Sequence, residues 1–405
     1  MIVQSLLLIA FPFTIANGED APDLRQLIER SRHEATLTAD RLRGPGADWL
    51  LQRARTSEFT IVGESHGNQE TCRFTSWLLR ELKGAGYSAY VTETGPCSTA
   101  LVAETARQSG FEGVSGLIRR TPFSIAFIHL RDEAQLLADA VKLDYACWGI
   151  DQEFTGSPRL LLGQLVSQAK SDDAKVIARS ALDRANTGFA HFAKTGSKAK
   201  AFLSTATPAD WKALSTAFAT EDESLRDMID ALRASQRIYG LYFRGMYYES
   251  NHERVRLMKQ TLARNFRDGA NPRAVIKIGG AHAGRGYSPF DQLDVGNHIA
   301  ELAAARGGDS LHICVMARRS VDRDGKATEH DKASNPIRAL LDAAPETGAC
   351  VFDLTALRPL LSQPPARETH ADLHDLAFRF DAILLLPEFH EAESLIPMPA
   401  KRAAK

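Results

Sequence analysis

Residues 58–68 read EFTIVGESHGN. The run Phe59, Thr60, Ile61 and Val62 has the β-branched and aromatic content of a buried strand. It stops at Gly63, and Glu64, His66 and Gly67 follow before a helical pattern begins. A buried strand that delivers two titratable side chains straight into a turn has the layout of a reaction site.

The same alternation repeats outward from this stretch. Asn68 fits an N-cap, with Glu70 in the first helical turn and Phe74, Trp77, Leu78 and Leu82 on one face before Gly84 and Gly86. Upstream, residues 22–42 carry Leu24, Leu27 and Ile28 at helical spacing, which predicts a packing helix. Downstream, SAYVT at 88–92 makes a second strand, and Pro96 blocks its ladder, so Glu93 sits at its carboxyl end. YACWGI at 145–150 ends in Asp151-Gln152-Glu153, and AVIKI at 274–278 runs into Gly279-Gly280-Ala281-His282. Later strands are expected at 311–316, 350–354 and 382–386, with 318–335 as an exposed loop. Residues 157–240 are rich in Ala, Lys, Ser and Leu and show no strand pattern, which predicts a helical insertion over about 155–245. The expected organisation is one domain over 19–390 and a flexible tail over 391–405. Strands alternating with helices predict an α/β fold, a mostly parallel central sheet flanked by helices.

In such sheets ligands bind outside the carboxyl ends of the strands. The first four strands, if parallel, bring Glu64 and His66, Glu93, Asp151 and Glu153, and His282 to that one edge. The long helix expected over 246–266 adds a charge: Asn251, Arg254, Met258 and Leu262 share one stripe, so Arg254 needs a carboxylate partner, Glu64 or Glu93. No GxGxxG, P-loop or GxSxG pattern is present, and Ser65 lacks the spacing of a nucleophile elbow.

A formal net charge of −1 with 44% hydrophobic residues describes a globular chain without a basic footprint for nucleic acid or a polybasic membrane patch. The apolar run at 2–16, interrupted by Pro12 and followed by Ala16-Asn17-Gly18, is too short for a stable membrane span and reads as a signal peptide over 1–18, which predicts an exported, periplasmic or secreted protein. Among the five cysteines, Cys147 and Cys314 read as small buried hydrophobes, Cys72 and Cys97 as a possible pair, and the absence of CxxC argues against a zinc knuckle.

GESHGNQE, VTETGP, RVRLM, IGGAHAGRG, VFDLTALRPL and FDAILLLP together resemble the erythromycin esterase-like superfamily, which includes haem-uptake ChaN-like lipoproteins and TIKI-type metalloproteases; the resemblance runs over 58–387. It implies an active-site cleft formed by Glu64, His66, Glu93 and His282, with Arg254 matching an arginine ahead of the helix methionine. Erythromycin esterases resemble GEATHG and HNAH where this chain has GESHG and GGAH, so Gly279 supplies no imidazole and macrolide hydrolysis is disfavoured. Three readings follow for a small-molecule substrate or ligand. In a metal-free hydrolase acting on an ester or related acyl bond, His66, or else His282, deprotonates water while Glu93 or Glu64 orients the imidazole and Arg254 or Arg285 meets the oxyanion. In a metal-dependent hydrolase or peptidase, His66, His282 and a glutamate hold a divalent metal. In a binding protein, the same cleft grips haem or another ligand.

Overall fold

The computed structural model describes residues 23–266, 272–330 and 337–397; the expected signal peptide and residues 398–405 of the expected tail lie outside the described residues. Its strands are β1 (Arg32–Leu37), β2 (Leu42–Arg43), β3 (Phe59–Glu64), β4 (Tyr87–Thr92), β5 (Ala146–Gly149), β6 (Arg273–Gly279), β7 (Ser310–Val321), β8 (Ala327–Glu329), β9 (Ala349–Asp353) and β10 (Ala382–His390). They join in one sheet in the order β2-β1-β9-β10-β7-β3-β6-β4-β5, with β8 on the end of β7. The block from β10 to β5 is parallel, and β9, β1 and β2 extend it antiparallel. The sheet is thus mostly parallel, as the strand–helix alternation predicts.

Both faces of a parallel sheet are covered, so its strands are apolar on both sides. In β3, Phe59 and Ile61 enter one core and Val62 the other. The first core packs under α11 (Tyr247–Asn265) through Met258 and Leu262, and under α13 (Val295–Ala305) through Val295 and Ile299. The second packs under α2 (Pro45–Thr56), α3 (Gln69–Lys83) and α5 (Arg131–Lys142) through Leu50, Phe74, Leu78 and Leu136. α3 begins where Asn68 predicts, its side-chain oxygen accepting the Thr71 N–H at 2.8 Å. A third core joins α4 (Pro96–Arg120) to the helices that follow β5, namely α6 (Ser157–Gln168), α7 (Asp172–Thr195), α8 (Phe202–Thr205), α9 (Pro208–Ala217) and α10 (Glu223–Phe243).

Four expectations change. Residues 22–42 are not one helix: α1 (Leu24–Ser31), capped by Asp23, gives way to β1, which is held by β9 from the far end of the chain. The segment 318–335 is not a loop throughout, because β7 continues to Val321 and turns back through β8. Residues 391–397 do not form a tail. The Ala392 N–H donates to the Gly67 carbonyl and the Leu395 N–H to the His129 carbonyl, both at 2.8 Å, and Ile396 is buried. Cys72 and Cys97 do not pair; all five thiols are free. Among the described residues, no helix is long and apolar enough to cross a membrane.

Candidate active site

β6 lies between β3 and β4, so the carboxyl ends of β3, β6, β4 and β5 stand side by side. Register places Glu64 opposite Gly279, and Thr92 opposite both Lys277 and Gly149. This levels Glu64, Glu93 and the segment after Gly279 at one edge.

Strand parity then sorts the carboxylates. Glu64 is two residues from Val62 and faces the α3/α5 side, whereas Glu93 is two residues from Val91 and faces α11. Glu93 therefore receives Arg254, at 2.6 Å from Nη2, while Asp151 takes the same guanidinium in a bidentate pair at 2.8 and 2.6 Å. Glu64 does not reach Arg254. Its Oε1 accepts from Lys277 Nζ at 2.5 Å, and Lys277 also donates to Glu133 of α5 at 2.6 Å. Lys277 is 2% exposed and faces away from Ile276 and Ile278 within the same strand. In the sequence it is one polar letter in AVIKI, and only the parity of that strand against β3 signals a buried cation aimed at Glu64.

His66 closes the constellation. Its Nδ1–H donates to Glu64 Oε1 at 3.0 Å, its Nε2 stands 3.5 Å from Glu93 Oε2, and its ring stacks on Phe127 with centroids 4.2 Å apart. The side chain keeps 31% of its surface exposed, so solvent reaches the ring. Burial pulls its pKa down, but the Glu64 hydrogen bond and the charges of Glu93 and Glu64 outweigh this and hold it above the ordinary value. Phe127 has φ 62°, a left-handed conformation rare for a bulky side chain, and the loop that imposes it also places its ring on His66. A Cβ at Gly279 would lie 2.9 Å from His66 Nε2 and 3.2 Å from Glu93 Oε2. The tip of the His66 ring thus takes the space that a side chain at 279 would fill.

Glu93 is held strongly acidic. Burial would raise its pKa, but Arg254, His66, His282 and the Gly279 N–H at 2.5 Å bring it down to about 2. Burial and Glu64 push Glu133 upward against the pull of Lys277, while Lys277 and His66 hold Glu64 below its ordinary value against burial.

His282 lies beside this group, but with its lone pair engaged. Its Nδ1–H donates to Asp294 Oδ2 at 2.9 Å, and its Nε2 accepts from Arg254 Nη1 at 3.2 Å. Asp294, the N-cap of α13, is fully buried and has no motif around it that would single it out in the sequence. Two residues leave the constellation. Arg285 forms a bidentate pair with Asp381 at 3.0 and 2.7 Å and reaches the Ser310 carbonyl at the start of β7, so it cannot meet an oxyanion at the carboxyl edge. Glu153 caps α4, accepting the N–H groups of Cys97 and Ser98 at 2.9 and 3.2 Å.

Most donor atoms of the site are already engaged, Glu64 Oε2 and His66 Nε2 excepted. Glu64 Oε1 is held by Lys277 and His66, both Glu93 oxygens by Arg254 and Gly279, and His282 Nε2 by Arg254. Among the described residues, no group of three His, Cys, Asp or Glu side chains is arranged around a common metal position.

No protein-family model and no curated protein sequence matches the chain. Its fold does match solved structures. A histidine-to-asparagine variant of the erythromycin esterase EreC in its open conformation superposes with a TM-score of 0.62 at 15% identity, covering 90% of this chain and 100% of that one. A Bacillus cereus protein gives 0.57 at 11%, covering 93% and 100%, and a succinoglycan biosynthesis protein gives 0.57 at 9%, covering 91% and 97%. A TM-score of 0.62 over 90% of this chain gives it the erythromycin esterase-like fold.

Proposed function

We propose that this protein is a hydrolase in which His66 activates a water molecule against an ester or related acyl bond. The observation that carries the reading is the Glu64–His66 pair. An ionised, buried carboxylate takes the Nδ1–H and leaves Nε2 as the basic atom of a partly exposed ring. Lys277 holds Glu64 in place and ionised, so the tautomer is fixed from behind.

Glu93 stabilises the imidazolium that forms when His66 takes the proton, because its charge already stands 3.5 Å from Nε2. Arg254, held by Asp151, Glu93 and His282, supplies a fixed positive charge at the same sheet edge. The Asp294–His282 pair positions Arg254 rather than competing with His66 for the proton, since His282 Nε2 has already accepted from the guanidinium. The likeness in fold to an erythromycin esterase supports acyl-bond hydrolysis as the reaction class.

The test is a panel of activated aryl esters assayed with His66→Ala, Glu93→Gln and the parent chain. Loss of a general base costs roughly 10²–10⁴-fold in rate, and His66→Ala should show this with its thermal midpoint retained. An ester turned over equally by the parent and by His66→Ala removes the assignment.

A further inference from the structure

A cavity of about 130 Å³ lies in the helical region, walled by five phenylalanines: Phe123, Phe154, Phe189, Phe192 and Phe202. It is separate from the histidines and Arg254, none of which lines it. Two cations stand at its wall. The Arg159 guanidinium lies 3.8 Å from the Phe189 ring centroid, and Lys198 Nζ lies 5.9 Å from that of Phe154. Arg159 donates to the Pro122 carbonyl at 3.1 Å and to Asn186 Oδ1 at 3.3 Å, both neutral acceptors. No Asp or Glu lines the cavity.

Size and charge together narrow the occupant. An apolar cavity of roughly 150 Å³ accepts a benzene ring, so this one matches a single aromatic ring and is too small for a fused ring system or a long chain. Phenyl walls favour an aromatic guest through offset and edge contacts. Among the described residues neither cation has an anionic partner, which favours a guest that carries its own negative charge, and a carboxylate suits the forked guanidinium.

We propose that this cavity binds a small aromatic carboxylate of the benzoate or phenylacetate type, its ring among the five phenylalanines and its carboxylate on Arg159 and Lys198. The site goes beyond hydrolysis at His66 and does not depend on it.

Titration calorimetry of the full chain with phenylacetate is the test, with phenylacetamide as the neutral isostere. Phenylacetate should bind once per chain, with Kd on the order of 0.1–1 mM for a ligand of this size, and the amide at least about tenfold more weakly. Arg159→Met and Lys198→Met should each weaken phenylacetate about tenfold. Ala185→Met, which pushes a flexible side chain from α7 into the cavity, should abolish binding. His66→Ala should leave the affinity unchanged, which separates this site from the carboxyl-edge cleft. Should Ala185→Met fail to fold by circular dichroism, the two charge variants decide the matter. Absence of saturable binding, equal affinity for the amide, or indifference to both charge variants overturns the proposal.

Discussion

At the scale of single residues, His66 and Lys277 carry the sharpest expectations. The His66 pKa is held above the ordinary imidazole value by the Glu64 hydrogen bond and the charges of Glu93 and Glu64, against burial. The ester kcat/KM should therefore climb as pH rises through a value above 6.5 and level off beyond it. Glu64→Gln removes the carboxylate charge that helps raise this pKa and should move the rise to lower pH, while cutting the plateau. A profile that stays in place in Glu64→Gln would separate the rate from the pair. Because Glu64 Oε1, both Glu93 oxygens and His282 Nε2 are already engaged by Lys277, Arg254 and the Gly279 N–H, prolonged treatment with a chelator should leave the ester rate unchanged. Lys277 separates two buried carboxylates, and Lys277→Met should cost roughly 3–5 kcal/mol by leaving a charge uncompensated. Pairing it with Glu133→Gln should recover part of that loss, and strict additivity in denaturant unfolding would show that the two groups do not interact.

At the scale of elements, α11 is tied to the sheet by Arg254, which joins Glu93 at the end of β4 to Asp151 after β5 and reaches His282 after β6. The side chain is only 20% exposed. Arg254→Met should destabilise the fold by roughly 3–5 kcal/mol and depress the ester rate as well, because His282 and Glu93 lose their shared partner. An unchanged denaturation midpoint would mean that the ion pairs contribute nothing net. The segment 391–397 is a second tie. It bonds Gly67, next to His66 in the chain, and His129, accepts the Arg131 N–H at 2.7 Å and buries Ile396. Ending the chain after His390 should cost roughly 2–4 kcal/mol and expose the Arg131 amide to hydrogen exchange. Full protection of that amide in the shortened chain would show that the clamp is dispensable.

For the whole molecule, the acid limb of stability is set by buried carboxylates. Glu93 has a folded pKa of about 2 against an ordinary 4.5. A depressed carboxylate pKa contributes stability that is complete above the unfolded value and lost as pH falls through the folded one. Glu93 thus contributes fully above about pH 4.5 and loses its contribution between there and about pH 2. The lowered pKa of Glu64 acts in the same direction. Thermal midpoints should fall across this window in the parent chain and fall less steeply in Glu93→Gln; parallel slopes would show that other groups govern acid unfolding.

The sequence by itself determined what depends on local chemistry. The apolar runs at 59–62, 88–92 and 274–278 specify strands buried on both faces, and the turn residues after them place Glu64, His66, Glu93 and His282 at one edge once the strands are parallel. Asn68 as a cap and the stripe through Arg254, Met258 and Leu262 are likewise local, since helical periodicity is written in spacing alone. The partners are not local. Arg254 meets Glu93 and Asp151 rather than Glu64 because register and parity put Glu64 on the opposite face, and neither is readable until β6 is known to lie between β3 and β4. For the same reason Lys277, Glu133, Asp294 and Phe127 join the site only in the folded chain. β1 forms in place of helix because β9, more than three hundred residues onward, supplies its ladder. Residues 391–397 are held by hydrogen bonds to loops around 67 and 129, contacts that no window along the sequence contains.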